Sequence, residues 1–207
     1  MRYPKLRELK EAIKAIVKGP YTTKYPKEPF TPPKVFRGKP VPSQDGCIGC
    51  GACVEVCPVS AIKMSDDKEN KVRTLEWYYD ECIFCGQCER YCTTRKEKVP
   101  GVKLNQEFDL SSTDRKTIRS EIIKKNLVLC SNCRAIISTK EHFLWVAKQL
   151  EHKSYGNINL LSLVSEKFFS HTQKGNFKQF NQRENMYEIM CPKCRRLTLL
   201  FDEYGKI

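Results

Sequence analysis

Twelve cysteines carry the chemistry available to this chain, and eight of them fall into two runs of one spacing. The first run is Cys47, Cys50, Cys53 and Cys57, followed by Pro58; the second is Cys82, Cys85, Cys88 and Cys92. Each reads C-x-x-C-x-x-C-x-x-x-C, and 24 residues lie between the runs. Thiolates at this spacing hold a pair of 4Fe–4S clusters. Three thiols separated by two residues let a short loop wrap one face of an iron–sulfide cube. The fourth opens a helix that points away and reaches the other cube. The spacing therefore predicts Cys47, Cys50, Cys53 and Cys92 on one cluster, and Cys82, Cys85, Cys88 and Cys57 on the other.

The remaining four cysteines form two C-x-x-C pairs, Cys130 with Cys133 and Cys191 with Cys194. Two residues between thiols let both sulfurs reach one tetrahedral ion. Apolar stretches at Leu127 to Leu129, Ala135 to Ile137 and Leu197 to Phe201 predict strands on either side of these knuckles. A strand–knuckle–strand unit used twice is a zinc-ribbon or rubredoxin-like arrangement. Zinc suits a closed sulfur tetrahedron, and a single iron is the alternative. No βαβ pattern accompanies either pair, which argues against a thioredoxin-like redox couple. His142, His152 and His171 stand at no ligand spacing from a cysteine and read as surface or helix-end residues.

The elements that must position these thiols come from the local pattern. Residues 5 to 18 predict an amphipathic helix: Leu6, Leu9, Ile13, Ile16 and Val17 recur on one face, and Gly19-Pro20 ends it. Its basic, apolar-faced character suits packing on its own domain or on a membrane surface or subunit. Gly19 to Pro42 follows with Pro20, Pro26, Pro29, Pro32, Pro33, Pro40 and Pro42, an extended strap whose Tyr21, Tyr25, Phe30 and Phe36 offer apolar handles for docking. Gly49, Gly51 and Gly86 sit where backbone must approach sulfide closely. Ile62 to Met64 and Val72 to Trp77 predict two short strands around a turn at Asp66 to Asn70. Trp77, Tyr78 and Tyr79, with Ile48, Val54, Ile83 and Phe84, are expected to shield the clusters from water. Ser111 to Asp114 predict the start of a helix through about Lys125, with Ile118, Ile122 and Ile123 inward. Thr139 predicts the cap of another, from Lys140 to about His152. The polar stretch from Lys153 to Asn185 reads as an insertion or a partner-binding segment.

The predicted architecture is α+β: an N-terminal helix and strap over 1–42, a bacterial-type two-cluster ferredoxin domain over 43–110, and a C-terminal ribbon with an insertion over 111–207. Lys and Arg number 37 against 24 Asp and Glu, a formal charge of +13. Three tetrathiolate sites at roughly −2 each would bring this to roughly +7, because coordinated thiols are deprotonated. A basic chain suits an acidic partner, an anionic membrane face or nucleic acid, but the lysines are dispersed and no aromatic–basic recognition motif accompanies them. No stretch approaches the roughly 20 apolar residues needed to span a bilayer, and Met1 to Lys10 lacks the apolar core of a signal peptide. No phosphate-binding glycine loop and no nucleophile–base arrangement stands out. The chain thus reads as carrying electrons, with no active site of its own.

Tyr25-Pro26, Phe36-Arg37-Gly38-Lys39-Pro40, Cys47-Ile48-Gly49-Cys50-Gly51-Ala52-Cys53 and Cys82-Ile83-Phe84-Cys85-Gly86-Gln87-Cys88 resemble the two-cluster ferredoxin-like subunit shared by respiratory complex I and the membrane-bound nickel–iron hydrogenases. The added tail with Cys130, Cys133, Cys191 and Cys194 resembles the iron–sulfur subunit of the formate hydrogenlyases. Thr93, where the first run has Pro58, departs from that pattern. The resemblance implies a peripheral subunit on the cytoplasmic side of the membrane. Its partners would be the hydrogenase small and large subunits, an upstream iron–sulfur subunit fed by formate, carbon monoxide or ferredoxin, and a membrane arm that receives the N-terminal helix. A quinone- or sulfur-reducing relative of complex I is the alternative within this class. A nucleic-acid-binding zinc-ribbon protein is the alternative outside it.

Overall fold

A computed structural model of the chain describes residues 5–20, 22–114, 118, 120–168 and 188–201. It divides into two units, Met1–Phe36 and Arg37–Ile207. The first unit holds helix α1, Leu6–Lys18, none of whose residues is buried. The Glu8 carboxylate accepts the Lys5 N–H at 3.2 Å at its start. Gly19, at φ 74°, ends it by donating its N–H to the Ala15 carbonyl at 3.0 Å. A β-carbon disfavours that φ, so glycine stops the helix here. Leu6, Ile16 and Val17 are among its most exposed apolar side chains, at 86%, 83% and 79%.

The second unit begins with β1 (Pro40–Pro42), α2 (Ala52–Glu55), β2 (Ile62–Asp67), β3 (Val72–Trp77), α3 (Gln87–Arg90) and β4 (Val102–Leu104). It continues with β5 (Glu121–Leu129), β6 (Ile136–Thr139), α4 (Lys140–Leu150), a 3-10 helix at Glu151–Gly156, α5 (Ile158–Phe168) and α6 (Pro192–Phe201). β1 pairs antiparallel with β4, and a second, antiparallel sheet runs in the order β2-β3-β5-β6. Prolines at both ends of β1 are tolerated because this small sheet has only one ladder to satisfy. The β2–β3 turn is held by Asp67, whose Oδ1 accepts the N–H groups of Glu69 and Asn70 at 2.9 and 3.1 Å, an Asx turn. Ile62, Leu75, Trp77, Tyr79, Val102 and Ile123 form one apolar core with Cys47, Cys53 and Cys88. The core therefore sits directly under the two cysteine runs.

Two expectations are corrected. The helix expected through Lys125 is strand β5, which pairs with β3 over Val72↔Asn126 to Trp77↔Glu121; residues 115–117 and 119 lie outside the described set. Ile123, Lys125 and Leu127 are buried and alternate with exposed residues, the period of two that marks a strand. The strand expected at Leu197 to Phe201 is part of helix α6, so the C-terminal pair is followed by a helix where a ribbon requires a strand. Pro192 begins that helix, where its missing N–H and fixed φ cost nothing. The stretch from Lys153 to Asn185, expected to be an insertion or a partner-binding segment, includes the end of the 3-10 helix and α5, with Leu160 and Leu163 buried. Its remainder, 169–185, including His171, lies outside the described residues. Thr139 caps α4 as expected, accepting the His142 N–H at 3.4 Å.

Candidate metal centres

The two cysteine runs fold into the same local path. Each has a short loop, a glycine in the left-handed region at the helix N-cap (Gly51 at φ 82°, Gly86 at φ 77°) and a four-residue helix. Two residues before each cap the chain is again left-handed, at Gly49 (φ 69°) and Phe84 (φ 52°). This geometry turns amides toward sulfur. Gly49 N–H meets Cys47 Sγ at 3.4 Å, and Phe84 N–H meets Cys82 Sγ at 3.5 Å. The first position is glycine for a packing reason as well: a β-carbon there would come within 2.8 Å of Thr139 Cγ2.

The loops close over two hollows. One, with an empty volume of ≈ 300 Å³, is lined by Cys47, Cys50, Cys53 and Cys92 with Ile48, Leu75 and Val102. The other, of ≈ 410 Å³, is lined by Cys57, Cys82, Cys85 and Cys88 with Trp77, Tyr79, Ile83 and Phe84. The structure thus brings each fourth cysteine to the opposite run. Val54 packs against the core instead of lining either hollow. Burial pushes the Cys47, Cys53, Cys82 and Cys88 thiols up, Cys88 to about 12. Such sulfurs become thiolates when a metal centre supplies the compensating positive charge. Two further observations fit an iron–sulfide cube. The Trp77 indole N–H is buried without a partner among the described residues, and Trp77 lines the larger hollow. Inorganic sulfide or a thiolate is an acceptor that would satisfy it.

Carbonyls on the far side of the first loop are held away from the sulfurs. Arg73 Nη1 donates to the Gly49 carbonyl at 2.9 Å, and the Thr139 hydroxyl donates to that of Ile48. Lys125 Nζ donates to the Gln44 carbonyl at 2.6 Å, and Gln44 Nε2 donates back to the Lys124 carbonyl at 3.0 Å. On the near side, Thr93 Oγ1 lies 3.2 Å from Cys50 Sγ and Thr94 Oγ1 lies 3.5 Å from Cys92 Sγ. Thr94 also accepts the Gly101 N–H and donates to the Gly46 carbonyl, both at 2.9 Å. Arg73, Lys125, Thr93, Thr94 and Thr139 are functional neighbours that cysteine spacing could not reveal. Only the threonine in place of proline after Cys92 gave a signal.

The last four thiols meet at a separate point. The sulfurs of Cys130, Cys133, Cys191 and Cys194 all lie within 4.8 Å of one another, and Cys133 to Cys191 is 3.7 Å. A tetrahedral ion with metal–sulfur bonds of about 2.3 Å demands sulfur–sulfur edges of about 3.8 Å. The spacing therefore fits one tetrahedral ion. Cys191 stands immediately before α6, and its sulfur accepts the Cys194 N–H at 3.5 Å, as a cap residue would. Burial raises the Cys130 thiol, but the N–H groups of Cys191, Cys133 and Asn132 outweigh it and hold Cys130 at about 7. Burial and the neighbouring thiols push Cys194 up to about 12. Asn159 clasps the second pair in place: its Nδ2 donates to the Met190 carbonyl at 2.8 Å, and its Oδ1 accepts the Met190 N–H at 3.1 Å.

Residues 46–96 match the 4Fe-4S dicluster domain family. Across 189 residues, 91% of this chain and 89% of the relative, the sequence is 32% identical to formate hydrogenlyase subunit 6 of Escherichia coli (strain K12). It is 36% identical over 64 residues, 28% of each chain, to NADH-quinone oxidoreductase subunit 9 of Rhodothermus marinus. Among solved structures, a chain of the membrane-bound sulfane sulfur reductase, an archaeal respiratory membrane complex, is similar with a TM-score of 0.40 and 26% identity. That alignment covers 56% of this chain and 60% of the other.

Proposed function

The chain belongs to the family of formate hydrogenlyase subunit 6, and from that premise we propose that it is an electron-transfer subunit of a membrane-bound respiratory-type complex. It passes electrons from an input module that oxidises formate, carbon monoxide or ferredoxin to the small subunit of a nickel–iron hydrogenase. One observation carries this reading: eight thiols gathered into two adjacent hollows, each completed by the last cysteine of the other run. Cys47, Cys50, Cys53 and Cys92 hold one 4Fe–4S cluster, and Cys82, Cys85, Cys88 and Cys57 hold the second. Each cluster, when bound, accepts and gives up one electron at a potential set by burial, charge and N–H···S bonds. Gly49 and Phe84 supply such amide donors; Leu75, Trp77 and Tyr79 exclude water. Among the described residues no helix is long and apolar enough to cross a membrane. A peripheral position on the cytoplasmic face, with the exposed apolar side of α1 docked on the membrane arm, accounts for a helix that buries none of its own residues.

Cys130, Cys133, Cys191 and Cys194 hold a single zinc ion, or a single iron, that ties α6 to the β5–β6 connection. Anaerobically prepared full-length chain should contain about eight irons and eight sulfides, by the two-cube stoichiometry, plus one further metal ion. Folded protein without sulfide would end the cluster reading. Purification from native membranes identifies the complex: a co-purifying nickel–iron subunit supports the hydrogenase assignment. A quinone or sulfur module in its place would favour the second reading, suggested by the similarity to the quinone oxidoreductase subunit over 64 residues.

A further inference from the structure

Strand β5 carries a lysine where its pattern calls for an apolar residue. Lys125 stands between Ile123 and Leu127 on the inward row and is 8% exposed. Its direct cross-strand partner on β3 is Arg73. Like charges placed opposite each other destabilise a sheet, and a buried charge needs compensation. Arg73 has it: Nε and Nη2 grip Asp66 at 2.7 and 2.8 Å, a bidentate pair. Lys125 forms no ion pair among the described residues; its Nζ reaches the Gln44 carbonyl alone. Its Cβ and Cγ lie beneath Gly49, 3.2 Å from where a β-carbon would stand. Its stem thus runs beneath Gly49, and its ammonium is fixed at the Gln44 carbonyl, three residues before Cys47, with no carboxylate paired to it among the described residues. A tetrathiolate cube has a net charge of roughly −2, and this is the missing counter-charge.

Resting on the cluster reading above, we propose that Lys125 is a positioning and tuning residue for the centre held by Cys47, Cys50, Cys53 and Cys92, and makes that centre more easily reduced than it would be without the charge. Adding one electron takes its charge from roughly −2 to −3, and a fixed neighbouring cation favours the more negative state. At an effective dielectric of about 20 and a span on the order of 10 Å, one charge is worth about a tenfold change in the reduction equilibrium. For a one-electron couple tenfold is 59 mV.

The test uses the full-length chain, anaerobically loaded, with iron and sulfide counted before an EPR-monitored redox titration. Lys125→Gln keeps a donor for the Gln44 carbonyl and removes the charge; Lys125→Arg keeps the charge. The expected result is that Lys125→Gln lowers one of the two midpoint potentials by about the tenfold step while the other and both in Lys125→Arg hold still. A fully loaded Lys125→Gln protein with unmoved potentials, or with both moved equally, overturns the proposal and leaves the cluster assignment standing. Wild-type chain that binds no sulfide overturns the cluster assignment instead. Should Lys125→Gln fail to load, Lys125→Met decides: it keeps the stem and removes the charge, and unmoved potentials overturn the proposal.

Discussion

The C-terminal thiol site should act as a clip, and its strength follows from the chain length it closes. Cys133 and Cys191 are 58 residues apart in sequence and 3.7 Å apart in space. Closing a loop of that length removes unfolded-state entropy worth about 4 kcal/mol by the cross-link relation, which a metal bridge shares with a disulfide. Cys191→Ser removes one thiolate and should weaken the ion enough to open the clip. Local opening of α6 would then be easier by up to about 4 kcal/mol, which is about a thousandfold in amide exchange at 1.4 kcal/mol per decade. The real figure should fall below that bound because the Asn159 clasp on Met190 remains. Hydrogen exchange read by mass spectrometry on peptides covering 188–201 measures it, with β2 and β3 as an internal reference. The expected outcome is fast exchange at 188–201 and unchanged protection at 62–77. Loss of the ion with unchanged exchange at 188–201 would refute the clip. An equal rise at 62–77 would refute its locality.

Other consequences follow from particular contacts. Thr93→Val removes the hydroxyl 3.2 Å from Cys50 Sγ. A bound thiolate can only accept, so the hydroxyl is its donor, and a redox titration should show that potential lowered with both clusters retained. Gly49→Ala places a methyl 2.8 Å from Thr139 Cγ2 at a φ of 69°; iron and sulfide per chain should fall well below wild type. Leu75→Ala empties a site 1% exposed beneath the first centre and should cost about 2–5 kcal/mol in denaturant unfolding. Glu97 accepts from Trp145 Nε1 at 3.2 Å and from Lys148 Nζ at 3.1 Å, and Lys148 and then Trp145 hold its carboxyl below its ordinary value of 4.5. A depressed folded pKa means the contact contributes fully above the ordinary value and is lost as pH falls through the folded one. Trp145 fluorescence should therefore be flat above about pH 5.5, change below 4.5, and lose that transition in Glu97→Gln.

The outcome at β5 shows why local pattern alone went wrong. Ile118, Ile122 and Ile123 satisfy a helical stripe, and Ser111 to Asp114 offered a helix start. What selects the strand is the open edge of β3, whose N–H and C=O groups take β5 as their partner over six residue pairs. That preference belongs to residues about 50 positions away in sequence. For α6 the local signal was present, in Pro192 directly after Cys191. It was outweighed by the expectation that two cysteine pairs would use two matching hairpins.

Spacing by itself determined which thiols could act together. A left-handed turn, a short helix and a fixed number of residues between sulfurs are local properties, so both runs and the two C-x-x-C pairs were legible from the chain. Tertiary structure decided what stands behind the thiols. The Arg73–Lys125 pair under the first loop exists only because β5 docks on β3, and Thr139 reaches Ile48 across 91 positions only because β6 follows it. Charge and hydrogen bonding act through space, falling off with distance and not with sequence separation. The residues that would bind the metals can therefore be read along the chain, and those that would set their potentials only across the fold.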